Sequence, residues 1–198
     1  LDKNLFNSER YGNLDLQSNL KVHNYETNKL ENFFINDFNW SSKDINSQLG
    51  FNTKVLGNLR NINYETKNVN LYKDDTTSEF FGALGLFSKL NLEKNINNST
   101  QLLTPKVLLR LSPGSMRKED SGSRLDPIKA FSLNRLDNSN NYETGISGTL
   151  GFDYKMKTNY SSYDFSVAQI VNEKENKKMA SKTSLDEKLS DLVGSANL

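Results

Sequence analysis

The chain has 198 residues and a formal net charge of +1, so its charge gives no reason to expect a nucleic-acid partner. It contains no cysteine and a single histidine, His23, which excludes disulfides and thiolate metal sites and leaves little for histidine-based catalysis. No run approaches the roughly 18 to 20 consecutive apolar residues that a membrane-spanning helix requires. The sequence therefore predicts a protein without enzyme activity, catalytic residues, cofactor or metal.

The first half of the chain contains four runs that favour strands. Residues 1–12 show no period and are predicted to be a connection. Residues 13–25 show strong alternation between apolar and polar side chains, which is the period of a strand with one apolar face. Runs at 30–41, 47–65 and 79–92 follow, and their aromatic residues and embedded glycines fit strands with local bends or close approaches. In the first run, Leu14, Leu16, Leu20 and Val22 oppose Asp15, Gln17, Asn19 and Lys21.

The second half contains three runs with even clearer alternation. They cover residues 103–111, 144–155 and 162–171, and an eighth run begins near residue 189. Each is predicted to be a strand with one apolar and one polar face. The apolar sets are Leu103, Val107, Leu109 and Leu111, then Ile146, Leu150, Phe152 and Tyr154, then Tyr163, Phe165, Val167 and Val171. The polar sets include Lys106 and Arg110, then Asp153 and Lys155, then Asp164 and Ser166.

The connections between runs are sorted by length. Those at 43–46, 93–99 and 157–160 are short, whereas those at 67–78, 113–141 and 172–188 are long and charged. The connection at 26–29 is short where the pattern allows a long one. Transmembrane β-barrels have this asymmetry, and their strands need apolar residues only at alternate positions. The sequence thus predicts an all-β antiparallel fold of about eight strands, as part of a transmembrane barrel, with a soluble antiparallel sandwich as the alternative. The charged 113–141 connection is expected to be solvated.

Several segments resemble the barrel domain of the LPS-assembly protein family, LptD. They are LTPKVLLRLSPG (103–114), AFSLNRL (130–136), YETG (142–145) and LGFDY (150–154). The agreement in order and spacing continues through FSVAQI (165–170) and LDEKLSDLVG (185–194). The resemblance is most specific over residues 103–194 and weaker in the earlier half.

This resemblance implies that residues 13–198 are an internal section of a large barrel in the outer membrane of a Gram-negative bacterium. The N-terminal periplasmic domain and the C-terminal strands of the family are absent from this sequence. The implied function is lipopolysaccharide transport and insertion into the outer leaflet. The implied partners are lipopolysaccharide, the plug lipoprotein LptE, the periplasmic bridge protein LptA and outer-membrane lipids. The alternatives are a soluble sandwich that binds carbohydrate and a smaller porin-like barrel.

In the barrel interpretation, each strand presents one face to lipid and one to the lumen. Lys106 and Arg110 either meet lipid phosphates or only hydrate the lumen or pair with Asp153 or a neighbouring carboxylate, and the second alternative is favoured. The lumen-facing candidates are Asp15, Gln17, Asn19, Lys21, Lys106, Arg110, Asp153 and Lys155. The lipid-facing candidates are Leu14, Leu16, Leu20, Val22, Val107, Leu109, Leu111, Ile146, Leu150, Phe152, Tyr154, Tyr163, Phe165 and Val167.

Overall fold

The computed structural model describes residues 1–26, 28–96 and 98–198. Within them the chain forms a single antiparallel sheet of eleven strands, which confirms the predicted all-β antiparallel fold. Two short 3-10 helices, Lys129–Phe131 and Ser181–Thr183, lie in the connections. The strands are β1 (Asp2–Ser8), β2 (Gly12–Tyr25), β3 (Lys29–Ser41), β4 (Ile45–Asn46), β5 (Phe51–Lys67), β6 (Thr77–Leu90), β7 (Leu92–Ile96), β8 (Ser99–Ser112), β9 (Gly145–Thr158), β10 (Ser162–Asn172) and β11 (Val193–Asn197).

The strands follow one another across the sheet nearly in chain order. The order is β1-β2-β3-β5-β6-β8-β9-β10-β11, with β4 beside β5 and β7 beside β8. The sheet is not closed into a barrel. Because directly paired residues project to the same side of a sheet, the register divides the side chains into two sets. We call the side of Leu14 and Leu109 the apolar face, and the side of Asp15 and Lys106 the polar face.

The structure corrects the number and limits of the predicted strands. Residues 1–12 are not simply a connection, because β1 pairs with β2 from Asp2↔Gln17 to Ser8↔Gly12. This strand has polar residues on both sides, so alternation could not reveal it. The short connections predicted at 43–46 and 93–99 contain β4 and β7, which raises the count above eight. The turns predicted at 26–29 and 93–99 include Thr27 and Asn97, which lie outside the described residues.

Proline accounts for the division between β6 and β7. Strand β8 pairs with β6 as far as Lys89↔Lys106 and with β7 from Leu92↔Leu103, so the ladder is interrupted beside Pro105. Proline has no backbone N–H to donate to a ladder. The other neighbour, β9, pairs with β8 without interruption.

The connections are sorted between the two ends of the sheet as the sequence predicted. The 47–50 and 159–161 connections lie at one end, which we call the short-turn end. The 68–76, 113–144 and 173–192 connections lie at the other, the long-loop end. Among the described residues, no helix is long and apolar enough to cross a membrane.

The buried core lies on the polar face, beneath the long connections. One cluster joins β10 to the 113–144 and 173–192 connections, and a smaller aromatic cluster lies on β3 and β5 with Tyr72 packed against it. The first cluster contains Met116, Leu125, Ala130, Ala168, Ile170, Met179 and Leu185. The second contains Phe33, Ile35, Ile62 and Tyr64.

Candidate functional site

The apolar face is a broad surface of exposed hydrophobic side chains. Leu20 is 68% exposed, Leu109 56% and Leu150 60%, although each lies within a long strand and is paired with a neighbouring strand. All fourteen predicted lipid-facing residues lie on this face and are at least partly exposed. Monomeric soluble proteins rarely expose so large a contiguous apolar patch, and such patches indicate contact with a membrane or another protein.

The apolar residues form a band that crosses the sheet obliquely. One row of paired residues connects Leu14 on β2 to Ile146 on β9. Leu14 is the member of the β2 set nearest the short turns, whereas Ile146 is the member of the β9 set nearest the long loops. Between β2 and β9 the centre of the band therefore shifts by about 26 Å along the strand direction, while these two strands lie about 24 Å apart across the sheet. The band thus crosses the rows of paired residues at about 45°. The row is Leu14, Trp40, Gly57, Leu84, Leu111 and Ile146.

The 113–144 connection folds back over the polar face of β6, β8, β9 and β10. Two glycines make room for it. A Cβ added to Gly85 would lie 2.6 Å from Leu133, and one added to Gly151 would lie 3.1 Å from Phe131 and 2.2 Å from a backbone oxygen. The missing side chains of these two glycines therefore leave the space that the connection occupies. A close approach of this kind is expected of glycine within a strand.

A buried charge cluster fixes the connection to the sheet. Arg135 Nε donates to Glu143 Oε2 at 2.8 Å, and Arg110 of β8 lies beneath the pair with its Nη1 3.6 Å from Glu143 Oε1. The three side chains are between 0% and 5% exposed. Arg110 also donates through Nε to the Leu133 carbonyl at 2.6 Å and through Nη2 to the Glu143 carbonyl. Because removing Glu143 would leave two buried guanidinium groups without a countercharge, the cluster holds the connection on the sheet.

The titration of two connection residues reflects this burial. Burial opposes ionisation of Glu143, but the charges of Arg135 and Arg110 outweigh it and lower its pKa below the ordinary value. Burial raises the pKa of the neighbouring Tyr142 to about 12, despite the nearby Arg110 and Arg60. Glu143 is therefore ionised and Tyr142 neutral throughout the physiological range.

Two further arginines attach the connection to β3, β5 and β6. Arg60 on β5 forms a bidentate pair with Asp37 on β3, at 2.7 and 2.9 Å, and donates to the carbonyls of Ser139 and Asn141 at 3.2 and 3.0 Å. Bidentate pairs of this kind are the geometrically specific ones.

Arg117 of the connection pairs with Glu79 of β6. Its guanidinium carbon also lies 4.8 Å from the centre of the Tyr72 ring and 5.3 Å from that of Tyr64. The expectation that the charged 113–141 connection is solvated is wrong for Arg117 and Arg135, since both are largely buried in ion pairs.

The predicted lumen-facing residues on β8 and β9 lie on the polar face, but most are already paired. Lys106 Nζ donates to Asp153 Oδ1 at 2.8 Å and lies 4.5 Å from the centre of the Phe131 ring. Lys155 is 3.8 Å from Asp164 and remains exposed. Arg110 is buried under the connection. The ion-pair interpretation of Lys106 thus holds, while Arg110 pairs with Glu143 rather than Asp153.

The polar face of β2 remains open, whereas that of β3 is covered by the aromatic cluster and by the Asp37–Arg60 pair. Asp15, Gln17, Asn19 and Lys21 lie on it, with Gln17 and Asn19 exposed. A cleft of about 470 Å³ separates this surface from the edge of the connection. Asp15 and Gln17 line its polar wall, and Phe131 and Leu133 line the opposite wall.

No protein-family model matches the chain, and no curated protein matches it at a significant level. Within the described part of the chain, no group of three or more His, Asp or Glu residues is arranged to hold a metal ion.

Sequence reasoning missed Arg60, Asp37, Arg135 and Glu143 as structural anchors. Arg135 lies between Leu133 and Leu136, and Glu143 follows Tyr142. Apolar neighbours favour a packed layer, but Arg124 precedes Leu125 just as Arg135 precedes Leu136 and is nevertheless exposed, so this local signal does not identify the buried charges.

Proposed function

We propose that this chain forms part of the wall of a larger β-barrel in the outer membrane of a Gram-negative bacterium. The observation that carries the proposal is the uncovered apolar face with its oblique band. Strands of transmembrane barrels tilt by about 35–45° from the membrane normal, so a band of constant depth crosses their hydrogen-bonded rows at this angle. The slope of about 45° found here agrees with that tilt.

The cargo we propose is lipopolysaccharide, transported and inserted into the outer leaflet as in the LptD family. The proposal is supported by the resemblance and by the positions that the matching residues take in the structure. Arg110, Arg135 and Glu143 belong to three separate segments that resemble this family, and they meet in one buried cluster. The expected partners are the plug lipoprotein LptE, the periplasmic bridge protein LptA and the lipids of the outer membrane.

In this function the polar and apolar faces have different roles. The phosphorylated sugars of the cargo require a wet, polar path, and the open polar face of β2 supplies one through Asp15, Gln17, Asn19 and Lys21. The docked 113–144 connection occupies the polar face of β6 to β10. The apolar face contacts the acyl chains of the surrounding bilayer.

The decisive experiment is depletion of the protein that carries this chain, followed by measurement of lipopolysaccharide at the cell surface. We expect surface lipopolysaccharide to fall, and re-expression of the wild-type protein to restore it. Unchanged surface lipopolysaccharide would refute the transport function. A fall in the uptake of small solutes without that change would favour the porin-like alternative.

A soluble carbohydrate-binding sandwich requires a second layer over the apolar face. The described residues form one sheet, and their connections pack on its other side. Monodisperse behaviour without detergent would support the sandwich, whereas dependence on detergent supports the barrel wall.

A further inference from the structure

Four polar side chains interrupt the apolar face on β2, β3 and β5. They are Ser18, Asn36, Asn61 and Asn63, and we call them the asparagine patch. The register places them on the side of Leu14, because Ser18 pairs with Asn36 and Asn36 pairs with Asn61. Asn63 lies on the same side of β5, two residues further along the strand.

Hydrogen bonds hold the patch in a fixed arrangement. Ser18 Oγ donates to Asn36 Oδ1 at 2.7 Å. Asn63 Nδ2 donates to Asn61 Oδ1, and Asn61 Nδ2 donates in turn to Ser78 Oγ at 3.0 Å. Among the hydrogen bonds of the described residues, none uses Asn36 Nδ2 or Asn63 Oδ1, and both side chains are partly exposed. The patch thus keeps one open donor and one open acceptor.

The patch leads from the middle of the apolar band to its long-loop edge. Ser18 lies midway along the β2 set from Leu14 to Val22. Asn61 lies beyond Leu59, the last apolar residue on this face of β5. Polar side chains are costly in hydrocarbon, so leucine at these positions would suit contact with acyl chains better. Asparagine here therefore fits a polar partner at the outer edge of the band.

Exposed aromatic rings flank the patch. Phe80 pairs with Asn61 and is 68% exposed, and Phe34 pairs with Asn63 and is 46% exposed. From β2 to β6, the two rows of paired residues that contain these side chains have no ionisable group. A phosphate would be bound best by a cation, which these rows lack. Sugar rings instead present hydroxyls that donate and accept, and C–H faces that pack on aromatic rings, and this surface offers both contacts.

We propose that the asparagine patch, with Phe34 and Phe80, binds the sugar head group of a glycolipid in the outer leaflet. The sugar hydroxyls meet the open amide groups of Asn36 and Asn63, and a C–H face of the sugar packs on Phe80. The acyl chains lie along the apolar face below. The inference rests on the proposed function, with the apolar face in the membrane and the long loops outward, and it adds a glycolipid contact on the outside of the wall.

The test uses the intact protein that carries this chain, reconstituted in vesicles, and photocrosslinking from benzoylphenylalanine in place of Phe80. The same group in place of Leu150, on β9, is the control position. The vesicles contain equal amounts of digalactosyl diacylglycerol, phosphatidylcholine and phosphatidic acid with the same acyl chains. The first head group has hydroxyls and no charge, the second has no hydroxyl, and the third is anionic. Mass spectrometry of the crosslinked peptide gives the ratio of the three lipids.

At position 80 we expect about fivefold more galactolipid than phosphatidylcholine, the ratio that one net hydrogen bond supplies, and equal amounts at position 150. Asn36→Leu and Asn63→Leu should each lower the ratio towards one, while unchanged crosslinking to phosphatidylcholine shows that these variants still insert. The matched control is Asn95→Leu, at an exposed position on β7, which should leave the ratio unchanged. Added lipopolysaccharide should displace the galactolipid, whereas a free disaccharide should not.

The outcomes separate this surface from the function on which it rests. Absence of lipid adducts at both positions would refute membrane contact by the apolar face. Equal amounts of the three lipids at both positions, or a ratio that persists in both leucine variants, would refute the sugar site alone. An excess of phosphatidic acid at position 80, displacement by the free disaccharide, or failure of lipopolysaccharide to compete would each overturn the assignment to an outer-leaflet glycolipid.

Discussion

Replacement of Glu143 by glutamine tests whether the buried charge cluster holds the 113–144 connection on the sheet. The substitution keeps the size of the side chain but removes the only carboxylate among Arg110, Arg135 and Glu143. Two guanidinium groups, each almost fully buried, then lie together without a countercharge. Breaking a buried pair by removing one partner costs about 3 kcal/mol or more. We therefore expect the docked connection to open about 100-fold more often.

Hydrogen exchange measured by mass spectrometry reports this opening directly. Amides in residues 115–143 should exchange about two orders of magnitude faster in Glu143→Gln, while amides in the centre of β8 and β9 change little. The matched control is Asp120→Asn, which breaks the exposed pair with Lys118 in the same connection and should change exchange only slightly. Equal exchange in the two variants would refute the role assigned to the cluster.

The same cluster predicts a pH dependence of defined sign. Because the pKa of Glu143 is lower in the folded protein than its ordinary value of 4.5, ionised Glu143 stabilises the docked connection. This stabilisation is complete above pH 4.5 and is lost as the pH falls through the folded-state pKa. The difference between wild type and Glu143→Gln should therefore be constant near neutral pH and shrink only below about pH 4.5.

Three further substitutions test the space left by Gly85, the contacts of Arg60 with the connection, and the apolar face. Gly85→Val should destabilise the docked connection by about 1–3 kcal/mol through overpacking, whereas Gly148→Ala on the opposite face should not, as measured by the same exchange experiment. Arg60→Lys loses the bidentate pair with Asp37 and the two carbonyl contacts, so the protection of residues 139–141 against hydrogen exchange should fall by about tenfold. Unchanged protection would show that Arg60 does not hold the connection. Leu150→Arg should make the free energy of membrane insertion less favourable by about 2–4 kcal/mol, whereas Gln17→Arg on the polar face should change it little. Equal membrane flotation of both variants would contradict contact of the apolar face with lipid.

The sequence by itself determined the strands and their two faces. Alternation with a period of two is a local property, so the runs at 103–111, 144–155 and 162–171 predicted both the strands and the side on which Leu109 and Leu150 lie. The lengths of the connections likewise followed from the spacing of the runs. Strand β1 escaped detection because an edge strand with polar residues on both sides is held mainly by backbone pairing.

Only the tertiary structure decided what the 113–144 connection does. Its charges resemble those of a solvated loop, since nothing local distinguishes Arg135 from Arg124 or Lys118. Its docking depends on Gly85, which leaves space on a strand far away in the chain, on Gly151 of the strand that follows it, and on Arg110, which lies 33 residues from Glu143. Such contacts depend on shape and desolvation between distant segments, so they exist only once the sheet has formed and the connection has folded back over it.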